Sequence, residues 1–136
     1  MDPTAPAPGK TSALVWVGRV LSVLPALMVL MGAYFMILGG EQMADEWQKS
    51  GFPANTQAPV GVAAAVSAVL YLIPQTAVLG AILLTGYLGG AVCTHVRAGE
   101  QFLPALICGI VVWLGLLLRD ARLRPLLPLR TLPNQD

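Results

Sequence analysis

The chain has 136 residues, of which 56% are hydrophobic and 11% charged, and its mean hydropathy is +0.70. Soluble proteins carry about 25% charged residues, and here eight basic and seven acidic residues leave a formal net charge of +1. This composition argues against a soluble enzyme, a nucleic-acid-binding protein and a disordered chain. Because the hydrophobic residues are gathered in long runs, the sequence predicts an integral membrane protein.

The first hydrophobic run covers residues 14–38 and contains one charge, Arg19. As a helix rising about 1.5 Å per residue it measures about 37 Å, enough to cross a bilayer with some tilt. Lys10 before the run raises the alternative of a secretory signal, but signal sequences have hydrophobic segments of about 7 to 15 residues. We therefore expect a mature transmembrane helix, kinked near Pro25, after a flexible cytoplasmic N-terminus of residues 1–13.

A polar stretch at residues 39–58 is expected to form the longest loop. Residues 59–92 then carry no charge, and as one helix they would measure about 51 Å, longer than a hydrocarbon core of about 30 Å. The stretch must therefore fold back, and Pro74 is the expected corner. The predicted fold class is an all-α, integral membrane four-helix bundle whose later helices lie at about 59–73, 75–96 and 102–118.

The distribution of basic residues predicts the orientation, since Lys and Arg are retained on the cytoplasmic side. Four crossings place both termini together, on the side that holds Lys10, Arg19, Arg119, Arg122, Arg124 and Arg130. The opposite loops hold Lys49 and Arg97. We therefore expect cytoplasmic termini, with membrane-surface anchors at Arg19, Arg119, Arg122 and Arg124.

The tail at residues 119–136 is basic and rich in Pro and Leu. Its prolines oppose a long helix, so we expect it to lie on the inner leaflet. There it either binds anionic lipid headgroups or docks a partner protein.

The third predicted helix carries a face of small residues that ends at a cation. Gly86, Gly90, Cys93 and Arg97 are spaced by four, three and four residues, so they share one side of a helix. We expect another helix to pack against this face, as small residues allow in membranes. The alternative is a slot for a flat or chain-like ligand beneath Arg97.

We expect a ligand-binding pocket on the outer surface, formed by Glu41, His95, Arg97 and Glu100. Within this pocket we expect the opposite charges of Glu41 and Arg97 to be in contact. Trp47 and Phe52 are candidate caps of this pocket. His95 and Arg97 lie about 200° apart on a helix, so both do not face one groove. As the single histidine, His95 either relays protons to a quinone or only makes hydrogen bonds.

The sequence predicts no metal site, because no Asp, Glu, His or Cys cluster has ligand spacing. Cys93 and Cys108 form no C-x-x-C motif. They are expected mainly as small apolar packers, with a disulfide between the third and fourth helices as the alternative.

Three blocks resemble the DoxX-like family of small four-helix membrane proteins. They read PQTAVLGAILLTGYL at residues 74–88, GGAVCTHVRAGE at 89–100 and WLGLLLRDARLRPLLPLR at 113–130. The resemblance runs from about residue 18 to residue 130. Relatives named DoxX or DoxD are associated with quinone-linked membrane oxidoreductases, including sulfur-compound oxidation and a thiol-redox complex with superoxide dismutase. A distant animal relative is an assembly chaperone for a receptor channel.

The leading hypothesis from this resemblance is a small subunit that binds a quinone or lipid-like molecule in a membrane oxidoreductase complex. The alternatives are a non-enzymatic scaffold or assembly chaperone and a small-molecule carrier. Quinone is the one expected cofactor, none is covalently bound, and an autonomous enzyme is not expected. The expected partners are membrane lipids and either a second copy of the chain or another membrane protein, and no nucleic acid is expected. The expected location is the bacterial cytoplasmic membrane.

Overall fold

The computed structural model describes the backbone of residues 8–126 and the side chains of residues 13–126. The predictions made for residues 1–7 and 127–136 lie outside the described residues. In chain order the helices are α1 (Pro8–Leu38), α2 (Gly40–Lys49), α3 (Gln57–Leu72), α4 (Ala77–Ala98) and α5 (Leu103–Arg119), with short 3-10 turns at Ala54–Thr56 and Ala121–Leu123.

The four longer helices form a membrane bundle. Three segments are long and apolar enough to cross a bilayer, namely Ala13–Leu38, Ala54–Leu72 and Ala77–Ala98, and α5 is a shorter apolar helix of 17 residues. The four helices pack in a ring in the order α1, α3, α4, α5, so that α1 lies diagonally opposite α4. The predicted all-α, integral membrane four-helix bundle is confirmed.

The observed helices depart from the predicted bounds where local backbone chemistry outweighs hydrophobicity. Helix α1 begins at Pro8 instead of residue 14. It extends to the N-terminal side of the apolar run, and proline suits the first turn of a helix. Pro74 does not open α4. It lies in a turn in which the Thr76 hydroxyl donates to the Leu70 carbonyl at 2.8 Å, and α4 begins at Ala77.

The stretch predicted as a polar loop contains the ten-residue helix α2. Gly40, at φ +66°, turns the chain sharply between α1 and α2. The partly buried side of α2 carries Met43, Ala44 and Trp47, while its other positions are exposed. The indole of Trp47 stacks on Phe52 at 4.7 Å between ring centroids, so these two aromatic residues pack on each other.

The bundle has two ends, here called the termini end and the α2 end. The termini end contains the first turns of the described chain, the α3–α4 turn and the end of α5. The α2 end contains α2, the start of α3 and the α4–α5 turn at residues 99–102. The prediction that both termini share one side agrees with this antiparallel arrangement of four helices.

Small residues let the helices approach closely. The core includes Ala26, Ala33, Ala64, Ala68 and Ala81, each no more than 1% exposed. At Gly115 of α5 an added Cβ would lie 2.7 Å from the Ser22 hydroxyl of α1. At Gly80 of α4 it would overlap the Tyr71 backbone of α3. These glycines mark the places where backbone packs against backbone, as in other membrane bundles.

A buried tyrosine joins three helices near the termini end. The Tyr71 hydroxyl of α3 donates to the Val112 carbonyl of α5 at 2.6 Å and lies 3.0 Å from the Ser22 hydroxyl of α1. Ser22 donates in turn to the Gly18 carbonyl at 2.7 Å. The guanidinium of Arg119 lies 4.7 Å from the Tyr71 ring centroid and donates to the Tyr71 carbonyl. Every buried polar side chain in the described region has a partner.

We predict that Gly115→Ala destabilises the bundle, whereas Gly86→Ala does not. The new methyl group at residue 115 must push α1 and α5 apart, which costs about 1 to 3 kcal/mol. Gly86 has no heavy atom within 4 Å of an added Cβ, and alanine favours a helix over glycine. Unfolding of both variants by SDS in mild detergent micelles measures the difference. Equal stabilities would contradict the close α1–α5 approach.

Candidate functional site

A lateral groove of about 460 Å³ lies between α4 and α5. Its lining is almost entirely apolar and includes Leu88, Gly89, Val92, Leu106, Gly109 and Trp113. Leu106, Ile110 and Leu114 of the same wall are 44–53% exposed, so the groove faces the surface that a membrane protein presents to lipid tails. Its shape suits a chain-like apolar molecule.

Two glycines open this groove. An added Cβ at Gly89 would have nothing within 4 Å, and at Gly109 it would meet only the end of Leu88, at 3.8 Å. The missing side chains therefore leave space between the two helices. The indole nitrogen of Trp113 donates to the Thr85 hydroxyl at 2.9 Å, which in turn donates to the Ala81 carbonyl. Because these polar groups satisfy one another, the groove keeps an apolar wall.

A polar pair stands at the α2 end of the groove. His95 lies seven residues after Leu88 and three after Val92, so it continues the groove side of α4 by about one turn. Its Nδ1 lies 3.0 Å from a carboxylate oxygen of Glu100. The two side chains are 40% and 63% exposed. The pair is therefore accessible from the surface, about one turn of α4 beyond the groove lining.

The α4–α5 turn fixes the position of this pair. Gly99 adopts a left-handed conformation at φ +71° and ends α4. The backbone N–H of Glu100 then donates to the His95 carbonyl at 2.9 Å, and that of Gly99 donates to Val96. This hydrogen-bonding pattern is a Schellman motif. It returns the chain over the last turn of α4 and places Glu100 beside the His95 ring.

The structure separates Arg97 from the other residues expected in an outer pocket. A terminal guanidinium nitrogen of Arg97 lies 3.5 Å from the Cβ position of Gly51, away from the groove lining. Glu41 is on the first turn of α2, about 15 Å along the chain from Gly51. The predicted contact between Glu41 and Arg97 is therefore wrong, because α2 separates the two residues. Among the described side chains, the close contact between a basic and an acidic residue joins His95 and Glu100.

No helix of the described chain packs on the small-residue face of α4. Gly86, Gly90 and Cys93 are exposed, and an added Cβ at either glycine has nothing within 4 Å. The expectation of a packed helix fails within one chain because α4 uses its other side, which carries Gly80, Ala81, Leu84 and Leu88. The face therefore looks outward from the bundle.

The arginines expected as membrane-surface anchors have different surroundings. Arg119 contacts Tyr71 inside the bundle, as described above. Arg124 donates to the Leu117 and Leu118 carbonyls at 3.1 and 2.8 Å and so caps the end of α5. Arg19 lies 5.8 Å from the Trp16 ring centroid on the exposed side of α1, and Arg122 is exposed. Two of the four guanidinium groups, those of Arg119 and Arg124, therefore donate hydrogen bonds to backbone carbonyls of the bundle.

The cysteines do not form a disulfide. Cys93 is exposed on α4 and Cys108 is buried on α5, and both are free thiols. Within residues 8–126 no group of three or more His, Cys, Asp or Glu residues is arranged to hold a metal ion. The candidate site therefore consists of an apolar groove, with the His95–Glu100 pair about one turn of α4 beyond its lining.

Sequence reasoning placed His95 and Glu100 on the same surface, where the structure also has them, but it missed the groove itself. The sequence did not single out Thr85, Gly109 or Trp113, because their proximity depends on the register between α4 and α5. The one sequence feature that could have indicated the groove is a pair of glycines, Gly89 and Gly109, at comparable depths in consecutive antiparallel helices.

Comparison with protein families decides what kind of bundle this is. The model of the DoxX-like family matches residues 20–118, which include α1 from residue 20 onward and the whole α4–α5 groove. The chain belongs to the DoxX-like family. The comparisons with curated proteins and with solved structures give no match. Membership of the family agrees with the resemblance noted in the sequence and with the four-helix architecture of this DoxX-like protein.

We predict that Gly99→Ala weakens the α4–α5 turn. An L-amino acid in the left-handed conformation costs about 1 kcal/mol or more, and the Schellman hydrogen bonds depend on that conformation. Gly32→Ala is the matched control, because Gly32 has space for a Cβ and no positive φ. Hydrogen exchange at residues 95–102 should become faster in the Gly99 variant alone. Unchanged exchange would show that the turn does not depend on this glycine.

Proposed function

We propose that this DoxX-like protein is a small membrane subunit that binds a quinone or another lipid-like molecule in the α4–α5 groove, within an oxidoreductase complex. The observation that carries the proposal is the groove itself, which is apolar along its length. The His95–Glu100 pair lies about one turn of α4 beyond Val92, the last α4 residue of the groove lining. A molecule with an isoprenoid or acyl chain and a polar head matches an apolar groove that has polar side chains nearby. Family membership supports the redox setting.

The groove residues would hold the chain of the ligand, and the pair would meet its head. Leu88, Val92 and Leu106 provide the apolar contacts, while the open positions at Gly89 and Gly109 provide depth. A bound quinone would supply two-electron chemistry accompanied by proton uptake. The 3.0 Å contact between His95 Nδ1 and Glu100 would orient the imidazole, whose other ring nitrogen could then form a hydrogen bond with the polar head of the ligand.

In this proposal the electrons would come from a partner subunit of the complex, and the residues of this chain would bind and orient the ligand. We place the protein in the bacterial cytoplasmic membrane with its termini in the cytoplasm, because the sequence has six basic residues on that side against two opposite. The groove mouth would then face the outer surface.

We predict that Gly109→Leu removes the bound molecule while the bundle stays folded. The leucine side chain fills the groove and meets no backbone of another helix, since the nearest atom to its Cβ position is the flexible end of Leu88 at 3.8 Å. Gly32→Leu adds the same side chain to α1, far from the groove, and should change nothing. Native mass spectrometry of gently extracted protein, with analysis of co-purified lipids, measures retention.

Substitutions of His95 and Arg97 should affect ligand retention differently. Retention should fall in His95→Ala and stay unchanged in Arg97→Ala, because Arg97 lies beside Gly51. Equal retention by the wild type and Gly109→Leu would exclude the groove as the binding site. Loss in Arg97→Ala alone would place the ligand on the other side of α4.

A second candidate function is a scaffold for another membrane protein. Gly86 and Gly90 of α4 each have nothing within 4 Å of an added Cβ. Glycine costs up to about 1 kcal/mol relative to alanine inside a helix, so two open glycines on the outward face favour a closely approaching partner helix. This observation concerns the outward face of α4 and is independent of the polar pair.

We predict for this second function that Gly90→Leu dissociates a complex isolated from native membranes, because the leucine prevents close helix approach. Gly32→Leu is again the control, and size-exclusion chromatography with subunit mass analysis gives the readout. An intact complex in Gly90→Leu would exclude the glycine face as the contact.

A further inference from the structure

A second cavity, of about 350 Å³, lies in the angle between α1 and α2. Tyr34, Phe35 and Leu38 of α1 form one wall, and Gln42 and Glu46 of α2 form the other. None of these residues lines the α4–α5 groove. This α1–α2 cavity is therefore independent of the function proposed above.

The backbone specifies the angle between the two helices. An added Cβ at Gly39 would overlap the Phe35 carbonyl oxygen and lie 2.9 Å from the Met43 side chain. Gly40 has a φ of +66°, which other residues rarely adopt. Because both positions need glycine, the α1–α2 cavity is a built feature of the fold and not a gap between mobile side chains.

The chemistry of the walls points to a cation. The Tyr34 and Phe35 rings meet edge to face, with centroids 5.6 Å apart and planes at 79°. About half of each of these side chains is exposed, so their rings are accessible. Aromatic faces attract ammonium groups within about 6 Å. In the part of the chain with described side chains, no basic group lies within ion-pair distance of Glu46.

The depth of the cavity is that of lipid headgroups. The apolar segment of α1 ends at Leu38, which is itself part of the cavity wall. The end of a membrane-spanning segment lies at the boundary between hydrocarbon and headgroups. An unpaired carboxylate and two aromatic rings at this level favour a cationic group and disfavour an anionic one.

We propose that the α1–α2 cavity binds an organic ammonium group, held over the Tyr34 and Phe35 rings and paired with Glu46. Such a group is carried by zwitterionic lipid headgroups and by small free amines. Glu46 supplies the charge, Gln42 a hydrogen-bonding amide, and the Gly39–Gly40 turn the width. Anionic headgroups are excluded because Glu46 repels their charge.

The test uses the full chain in nanodiscs that contain equal amounts of phosphatidylethanolamine and phosphatidylglycerol. Native mass spectrometry of the released protein should show retained phosphatidylethanolamine in excess. Glu46→Gln should lower that excess about tenfold, the factor expected for losing one charge-assisted contact. Asp45→Asn is the matched control, since it removes the same charge from α2 at a residue outside the cavity wall.

A second arm identifies the source of the ammonium group. Tetramethylammonium is titrated calorimetrically into nanodiscs that contain phosphatidylglycerol alone. Binding that Glu46→Gln abolishes, without excess phosphatidylethanolamine in the first arm, supports the cavity with a free amine as its ligand. Excess phosphatidylethanolamine that depends on Glu46 supports the cavity with a lipid as its ligand.

Two results would overturn the proposal. One is equal behaviour of Glu46→Gln and Asp45→Asn in both arms, and the other is wild-type protein that neither prefers phosphatidylethanolamine nor binds tetramethylammonium. Because both substituted side chains are exposed, helicity and melting in detergent should match the wild type and exclude misfolding. Glu46 does not line the α4–α5 groove, so the difference between the wild-type and Glu46→Gln proteins should persist when Gly109→Leu is also present, and failure of the groove proposal is distinguishable.

Discussion

The hydrogen bonds of the Tyr71 hydroxyl determine how the helices of this bundle face one another. A polar group inside a membrane protein must find its partner within the protein. Tyr71 does so diagonally across the ring, on the Val112 carbonyl of α5, and its contact with Ser22 adds α1. Because Val112 faces this centre, its neighbour Trp113 is turned toward α4 and reaches Thr85. The orientation of α5 that creates the lateral groove therefore depends on the buried tyrosine.

Glycine has two separate uses in the bundle. At Gly80 and Gly115 a Cβ would overlap the neighbouring helix, so the missing side chain allows close packing. At Gly89 and Gly109 the missing side chains leave room, and the result is a groove. The sequence shows the same residue type in all four places. Only the contacts of each glycine separate a packing position from an open one, which explains why the sequence predicted a packed face where α4 is exposed.

The polar residues near the α2 end illustrate the limit of reasoning from the sequence. His95 and Glu100 are five residues apart, and a local motif, the Schellman turn at Gly99, brings them together. A contact between Glu41 and Arg97 seemed equally reasonable from topology and charge. It fails because residues 40–49 form a helix that carries Glu41 away from Gly51, where the Arg97 guanidinium lies. Residues 95 and 100 come together because the chain between them turns locally, whereas the distance between residues 41 and 97 depends on the path of α2.

The sequence by itself determined that the protein is an all-α membrane bundle of the DoxX-like family, because long uncharged runs permit only helices in a bilayer and the family blocks are contiguous. It also located the α3–α4 turn closely, since proline acts on its immediate neighbours and Pro74 lies between Leu72 and Ala77. The tertiary structure alone decided which faces meet. The α4–α5 groove, the α1–α2 cavity and the surroundings of Arg119 all depend on the rotation of each helix about its axis, which interhelical contacts set and hydropathy does not encode.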